Sequence, residues 1–113
     1  MDQRLIDKFT RAVGAAAVLT DPVQLVTYEC DALPHLRSLP ELVLLPQSAA
    51  DVQATVRDCD SEGVPFVAGG LGTGLSGGAL PVPGGVVISL AKLNRVLEVD
   101  IPNQRVVVEP GVT

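Results

Sequence analysis

The stretch GGLGTGLSGGALPVPGG, residues 69 to 85, decides how the chain is organised, because it holds eight of the eleven glycines. Each glycine loses more backbone freedom on folding than any other residue, so ordering this stretch is costly. A ligand that approaches the backbone closely offsets such a cost, since consecutive N–H groups without side chains can surround an anion such as a diphosphate. We therefore interpret the stretch as an anion-binding loop. The alternative is a flexible linker between two subdomains.

The residues between the glycines favour the binding loop over the linker. Thr73 and Ser76 add hydroxyl donors to the backbone N–H groups. A solvated linker would prefer Ser, Glu or Lys at the remaining places. Those places are instead occupied by the apolar residues Leu71, Leu75, Ala79 and Leu80.

Two common phosphate-binding motifs do not account for the loop. A Walker loop requires Lys followed by Ser or Thr after its last glycine, and apolar residues stand at that place here. The spacing Gly72-x-Gly74-x-x-Gly77 matches the dinucleotide fingerprint, but that motif works only with a helix directly after it. Pro81 and Pro83 prevent such a helix. The loop must hold its ligand through its own backbone amides.

The sequence before the loop predicts a strand, a helix and a second strand. The apolar runs Leu42 to Leu45 and Val64 to Ala68 are typical of strands, and Ser48 and Gly63 mark the start and the end of a helix between them. Such units form right-handed parallel crossovers, and we expect the two strands to be neighbours in a sheet. The apolar face of the helix is expected to consist of Ala49, Val52, Val56 and Cys59.

The N-terminal region predicts a second helix and a segment that wraps over the surface. Apolar residues at helical spacing indicate the helix over residues 2 to 13, with Asp2 as its cap and Gly14 as its end. From residue 20 to 40 the pattern fades, and Asp21-Pro22 can open a short helical turn.

The sequence after the loop predicts only strands. Residues 86–90, 96–100 and 105–109 are β-branched or alternating, and Pro102 to Gln104 form the turn between the last two. Polar and apolar residues alternate there, which predicts an antiparallel hairpin with one wetter face. The chain then stops at Thr113 directly after a turn, and we expect that the domain continues beyond this point.

Composition excludes several classes of protein. The chain has 113 residues, enough for one domain, and its formal net charge of −5 argues against a nucleic-acid surface. Its charged N-terminus does not resemble a secretory signal, and no apolar run approaches the length of a membrane span. Two cysteines without a CxxC pair are typical of reduced thiols, so we expect a cytoplasmic location.

Few side chains are candidates for chemistry. His35 is the single histidine, and Cys30 stands near it, but no second pair at ligand spacing completes a metal site. We expect His35 to be an exposed loop residue. Glu29 and Asp31 have no catalytic counterpart nearby and are expected to be solvated charges. The sequence therefore predicts neither a metal site nor a catalytic residue.

Four blocks of this sequence resemble one family in the right order. They are YECDALPHLRSLPELVLLP at 28–46, GVPFVAGGLGTGLSGGALP at 63–81, GGVVISLAKLNRVLEVD at 84–100 and VVVEPGVT at 106–113. Together they resemble the N-terminal part of FAD-linked oxidases of the vanillyl-alcohol oxidase type, which have a PCMH-type flavin domain. Within that family the chain is most similar to glycolate oxidase FAD subunits and D-lactate dehydrogenases.

The resemblance implies an α+β fold that is the first FAD-binding subdomain of such a flavin domain. It also implies that residues 1–40 form an N-terminal helix and wrapping segment, and that 41–113 form a partial FAD-binding domain. The residues that would grip the FAD diphosphate are Gly69, Gly70, Leu71, Gly72, Thr73, Gly74, Leu75, Ser76, Gly77, Gly78 and Gly111.

Two positions of the loop depart from the family pattern. The family usually has an Arg where this chain has Gly69, and a small residue where it has Leu71. The missing cation weakens charge complementarity to the diphosphate or leaves more of the binding to backbone amides. Some relatives attach FAD through a His in this loop. This loop contains none, so the resemblance implies non-covalent FAD.

The resemblance leaves two hypotheses for function. In the first, the chain is the diphosphate-binding piece of an FAD-dependent oxidoreductase that acts on a 2-hydroxy acid such as glycolate or D-lactate and works with other oxidase subunits. The substrate-binding and catalytic residues would lie elsewhere in the complete enzyme, and this chain alone would be inactive. In the second, the chain is truncated or split, binds no flavin alone, and acts only by associating with a partner.

Overall fold

The computed structural model describes residues 1–25, 40–69 and 84–112. Its helices are α1 (Gln3–Val13), α2 (Pro22–Leu25) and α3 (Ala49–Glu62), with a 3-10 turn at Ala15–Ala17. Its strands are β1 (Val18–Leu19), β2 (Leu42–Leu44), β3 (Phe66–Gly69), β4 (Val86–Ser89), β5 (Val96–Asp100) and β6 (Arg105–Val108). The predicted mixture of helices and strands is confirmed.

Two separate sheets organise these strands. The larger has the order β1-β2-β4-β3, in which β1 is antiparallel to β2 and the other three strands are parallel. The smaller is the antiparallel hairpin β5-β6, as the sequence predicts. The short strand β1 was not predicted, because its two residues are too few for a periodic pattern.

The prediction that the strands flanking α3 are neighbours is wrong. Strand β4 lies between β2 and β3, and Val86 is in register with both Leu42 and Phe66. The crossover rule fixes the direction of the strands and the hand of the connection, but not how many positions are skipped. Burial explains the outcome: β2 and β4 are buried along their whole length, whereas β3 exposes Phe66 and Ala68 and lies at the edge.

The core lies on both faces of the central strands. On one face, Phe9 of α1 and Cys59 of α3 pack in a cluster with four strand residues: Leu42, Leu44, Val86 and Ile88. On the other face, Leu25 packs with Val43 and Val87. Alternate residues of β2 and β4 therefore face opposite sides of the sheet. Burial also raises the pKa of the Cys59 thiol to about 11, which makes the thiol unreactive.

The predicted ends of both long helices are confirmed. Asp2 caps α1 by accepting a hydrogen bond from the Arg4 N–H, and Gly14 follows its last residue. Ser48 caps α3 by accepting from the Asp51 N–H at 3.1 Å, and Gly63 ends it in the left-handed conformation, φ 65°.

The predicted apolar face of α3 needs correction. Ala49 is exposed, while Thr55 is fully buried and donates its hydroxyl proton to the Val52 carbonyl at 2.9 Å. Because this internal hydrogen bond satisfies the hydroxyl, Thr55 can lie on the buried face of the helix, where the apolar pattern did not include it. Cys59 is buried as expected.

The predicted wetter face of the hairpin is also wrong. Both faces of β5-β6 are exposed, and Val99 and Val106, which are in register, are 65% and 55% exposed. Alternation alone could not reveal this, because it reports which residues share a face but not whether a second layer covers it. The predicted turn is confirmed, with Gln104 at φ 52°.

In the wrapping segment, Asp21 accepts a hydrogen bond from the Val23 N–H at 2.9 Å and opens the turn α2 as expected. Residues 26–39 lie outside the described part of the chain, so the expectations for Glu29, Cys30, Asp31 and His35 stay predictions.

Candidate functional site

The glycine-rich loop begins at the carboxyl end of strand β3. Gly69 is the last residue of that strand, stands in register with Ser89 of β4, and accepts a 2.7 Å hydrogen bond from the Leu90 N–H. Because β3 and β4 are parallel neighbours, residues 70–85 connect the carboxyl end of one to the amino end of the other. The predicted binding residues Gly70, Leu71, Gly72, Thr73, Gly74, Leu75, Ser76, Gly77 and Gly78 lie outside the described residues.

Gly69 is not required by packing. A Cβ built at Gly69 would lie 3.6 Å from the Val87 side chain, an ordinary van der Waals distance. Its φ angle is not positive, so an alanine would be tolerated here. The described structure therefore gives no steric reason for a glycine at position 69.

Gly111, in contrast, is required by its surroundings. Its N–H donates a 2.7 Å hydrogen bond to the Leu93 carbonyl. A Cβ at this position would overlap the carbonyl oxygen of Leu90 and lie 2.7 Å from that of Leu93. The chain can pass this turn closely only where residue 111 has no side chain.

The two described candidate residues meet at one short turn, Leu90 to Leu93. Gly69 accepts a hydrogen bond from the Leu90 N–H, the Leu90 carbonyl accepts one from the Leu93 N–H at 3.0 Å, and the Leu93 carbonyl accepts one from the Gly111 N–H. A continuous series of backbone hydrogen bonds thus joins Gly69 to Gly111. Both residues lie at the edge of the sheet where the parallel strands end.

This turn carries a cation that the sequence analysis did not single out. Lys92 is exposed and forms neither a hydrogen bond nor an ion pair with any residue in the described ranges. Nearby, Arg95 is neutralised by Glu109 at 2.7 Å, and the hydrogen bond from Arg95 holds the pKa of Glu109 below its usual value. Only a view of the folded turn could distinguish the two cations, because both stand in the same polar stretch of sequence.

Comparison with known proteins decides the family. A family model described as an FAD binding domain matches residues 40–113. The chain belongs to this FAD-binding family. The predicted resemblance and the predicted cofactor, FAD, are confirmed.

Relatives of this FAD-binding domain are oxidoreductases. The chain is 40% identical over 100 residues to the glycolate oxidase subunit GlcD of Escherichia coli, covering 88% of the chain and 20% of the relative. It is 36% identical over 111 residues to a D-2-hydroxyglutarate dehydrogenase of Stutzerimonas stutzeri, covering 98% and 24%. The chain thus spans about a fifth of the length of the curated relatives it matches.

Solved structures confirm the fold class. A 4-ethylphenol oxidase from Gulosibacter chungangensis matches 97% of the chain with a TM-score of 0.86 and 33% identity, over 22% of its own length. A p-cresol methylhydroxylase matches 98% with a TM-score of 0.82 and 30% identity, also over 22%. In the described residues of this chain, no helix has the length and apolar character needed to cross a membrane.

Proposed function

We propose that the chain binds the diphosphate of FAD through residues 69 to 78 and Gly111, as part of an oxidoreductase acting on a 2-hydroxy acid. One observation supports the binding role most directly: Gly69 and Gly111, far apart in sequence, join the same turn at the carboxyl edge of the parallel strands. Ligands of open parallel sheets commonly bind at this edge, outside the ends of the strands.

Lys92 is the cation that we assign to the diphosphate. The resemblance implies that an arginine is usual where this chain has Gly69, and Lys92 lies two residues after Leu90, the hydrogen-bond partner of Gly69. An ammonium group with no partner among the described residues is free to make a charge-assisted interaction with a phosphate oxygen. The positive charge of Lys92 would thus replace the positive charge that Gly69 does not supply.

The substrate class follows from the relatives. Glycolate oxidase and D-2-hydroxyglutarate dehydrogenase are named for 2-hydroxy acids, and GlcD is named a subunit, so we propose a 2-hydroxy acid substrate and companion subunits for the complete enzyme. Bound FAD supplies the hydride acceptor. We assign no substrate-binding or catalytic residue to this chain, whose part is to hold the cofactor.

Three further expectations belong to the same proposal. The loop contains no histidine, which supports non-covalent attachment of FAD. The boundary between residues 1–40 and 41–113 stays a prediction. The described cysteine, Cys59, is a buried free thiol, which fits the proposed cytoplasmic location.

The hairpin favours a second candidate function, in which the chain binds flavin only with a partner. Its large apolar side chains are between 41% and 79% exposed: Val96, Leu97, Val99, Ile101, Val106, Val107 and Val108. A two-stranded hairpin without a covering layer is marginally stable in water. A partner that covers this surface would then be needed to complete the cofactor site.

Equilibrium dialysis of the chain against FAD and against riboflavin tests the proposal. Riboflavin lacks the diphosphate, so we expect FAD to bind at least tenfold more tightly, on the order of the 1.4 kcal/mol of a single charge-assisted contact. Equal affinity for the two flavins would contradict diphosphate binding. Absence of FAD binding at millimolar concentration would favour the partner-dependent alternative.

A further inference from the structure

Helices α1 and α3 pack side by side in opposite directions, held at one end by ion pairs. Arg4 of α1 binds the Glu62 carboxylate with two hydrogen bonds of 3.0 and 2.8 Å. One turn further along α1, Lys8 reaches Glu62 at 3.0 Å and Asp58 at 3.9 Å. At this end each cation of α1 has a carboxylate partner on α3.

The other end of the same helix pair lacks that compensation. A cleft of about 420 Å³ opens there, lined by Lys8, Arg11, Ala12, Ala54, Arg57 and Asp58. Arg11 and Arg57 are exposed, and neither forms a hydrogen bond or ion pair with a residue of the described ranges. The single carboxylate of the lining, Asp58, already faces Lys8.

This distribution of charge is unusual for the chain as a whole. The net charge is −5, and the sequence has only eight Lys and Arg residues, yet three of them line this one cleft. Arg11 and Arg57 line one cleft without an acidic partner among the described residues, so they repel each other, and an anionic ligand between them would remove that repulsion. The small side chains of Ala12 and Ala54 leave room for such a ligand between the helices.

We propose that the α1–α3 cleft binds a carboxylate-bearing segment of a partner polypeptide. The guanidinium group presents donors in a planar fork that matches a carboxylate with two parallel hydrogen bonds, and arginine is enriched at protein interfaces. The cleft is open to solvent along the two helices, and its volume of about 420 Å³ exceeds what a single oxyanion fills. Charge complementarity to Arg11 and Arg57 therefore favours an acidic polypeptide segment as the ligand of this cleft.

The α1–α3 cleft is separate from the sheet edge, near Gly69 and Gly111, where we propose that FAD binds. Its lining residues all belong to α1 and α3, whereas Gly69, Gly111 and the turn between them belong to the ends of β3 and β4 and to the residues after β6. The proposal is therefore independent of the proposed FAD binding. A chain that fails to bind FAD could still bind an acidic segment through this cleft.

Fluorescence anisotropy with a labelled hexaglutamate peptide tests the proposal. We expect the peptide to bind the chain, and the double variant Arg11→Gln/Arg57→Gln to bind it about tenfold more weakly, because it removes two charge-assisted contacts that each contribute a few-fold at an exposed site. Higher salt should weaken binding to the unaltered chain. The double variant should unfold at the same or a higher temperature than the unaltered chain, because the repulsion is removed.

A control variant separates the cleft from the overall charge. Gln47→Glu/Asn94→Asp also changes the net charge from −5 to −7 but leaves every cation in place, and both residues are exposed and lie outside the cleft. We expect it to bind hexaglutamate within about threefold of the unaltered chain. Equal losses in the two double variants, no peptide binding, or inorganic phosphate binding as tightly as the peptide would each overturn the proposal.

Discussion

The backbone nitrogen of Gly111 lies 2.7 Å from the carbonyl oxygen of Leu93, and a Cβ at residue 111 would overlap the carbonyl oxygen of Leu90. This contact fixes the segment after the hairpin against the turn that follows β4. The Leu90 N–H of the same turn donates a hydrogen bond to the Gly69 carbonyl, so the distance between Gly69 and Gly111 depends on this turn.

Replacing Gly111 should therefore destabilise the fold. Gly111→Ala would place its methyl group against two carbonyl oxygens, and we expect a loss of about 1–3 kcal/mol in the free energy of unfolding. Urea unfolding followed by circular dichroism measures it. Gly69→Ala is the matched control, because its methyl group would make only an ordinary contact at 3.6 Å. Equal stability of the two variants would refute the steric account.

A cation at position 69 should be able to replace Lys92 in the proposed binding of FAD. Lys92→Gln should weaken FAD binding about fivefold or more, since it removes a charge-assisted contact. Gly69→Arg should strengthen it, and the combined variant should regain part of the loss. Equilibrium dialysis measures the affinities.

Ala68→Arg is the control for that series. It adds the same charge to the same strand, but at the neighbouring residue, whose side chain points to the opposite face. If Ala68→Arg strengthened FAD binding as much as Gly69→Arg, the effect would be one of general charge rather than of the cofactor edge.

The link between α1 and α3 should depend on pH through Glu62. Hydrogen bonds from Arg4 and then Lys8 lower the pKa of Glu62 from 4.5 to about 2. The ionised carboxylate therefore stabilises the fold fully above pH 4.5, and this contribution is lost as the pH falls towards 2. Glu62→Gln should lower the Tm by a few degrees at pH 7 and by progressively less in acid.

Thermal unfolding at a series of pH values checks the Glu62 prediction. Glu98→Gln serves as the control, since Glu98 is exposed and has no ion-pair partner among the described residues. A Glu62→Gln deficit that stayed constant from pH 7 to pH 2 would mean that the carboxylate charge plays no part.

The exposed hairpin should make the chain associate with itself. Replacing the register pair Val99 and Val106 by Thr keeps β propensity but removes apolar surface, so sedimentation should show less association than in the unaltered chain. Val23→Thr is the control: Val23 is 79% exposed but lies in α2, so this substitution should have little effect on association. Association unchanged by the hairpin substitutions would place the contact elsewhere.

Local features were predictable from sequence, and long-range ones were not. The capping residues Ser48 and Gly63 act on N–H and carbonyl groups a few residues away, so the local sequence was enough to predict both ends of α3. The insertion of β4 between β2 and β3 depends on pairing between distant strands, which periodicity does not encode.

The same division applies to the candidate site. Glycine density indicated the loop, and the family resemblance indicated Gly111. Their meeting at Leu90 to Leu93 rests on backbone hydrogen bonds between distant segments. Among the described residues, Arg95 pairs with Glu109 and Lys92 has no partner, a difference that only the folded chain shows. Neither relationship leaves a signal in the order of residue types.

The most direct test of the account is a calorimetric titration of FAD into the chain and into Gly74→Val, with thermal unfolding of both in parallel. A branched side chain in a loop whose backbone must approach a diphosphate should weaken FAD binding at least about tenfold while the Tm without FAD stays unchanged. We expect the unaltered chain to bind with a Kd weaker than about 1 µM, because ordering the loop costs entropy that the diphosphate only partly offsets. The same FAD affinity in Gly74→Val as in the unaltered chain would contradict the claim that this loop binds the cofactor.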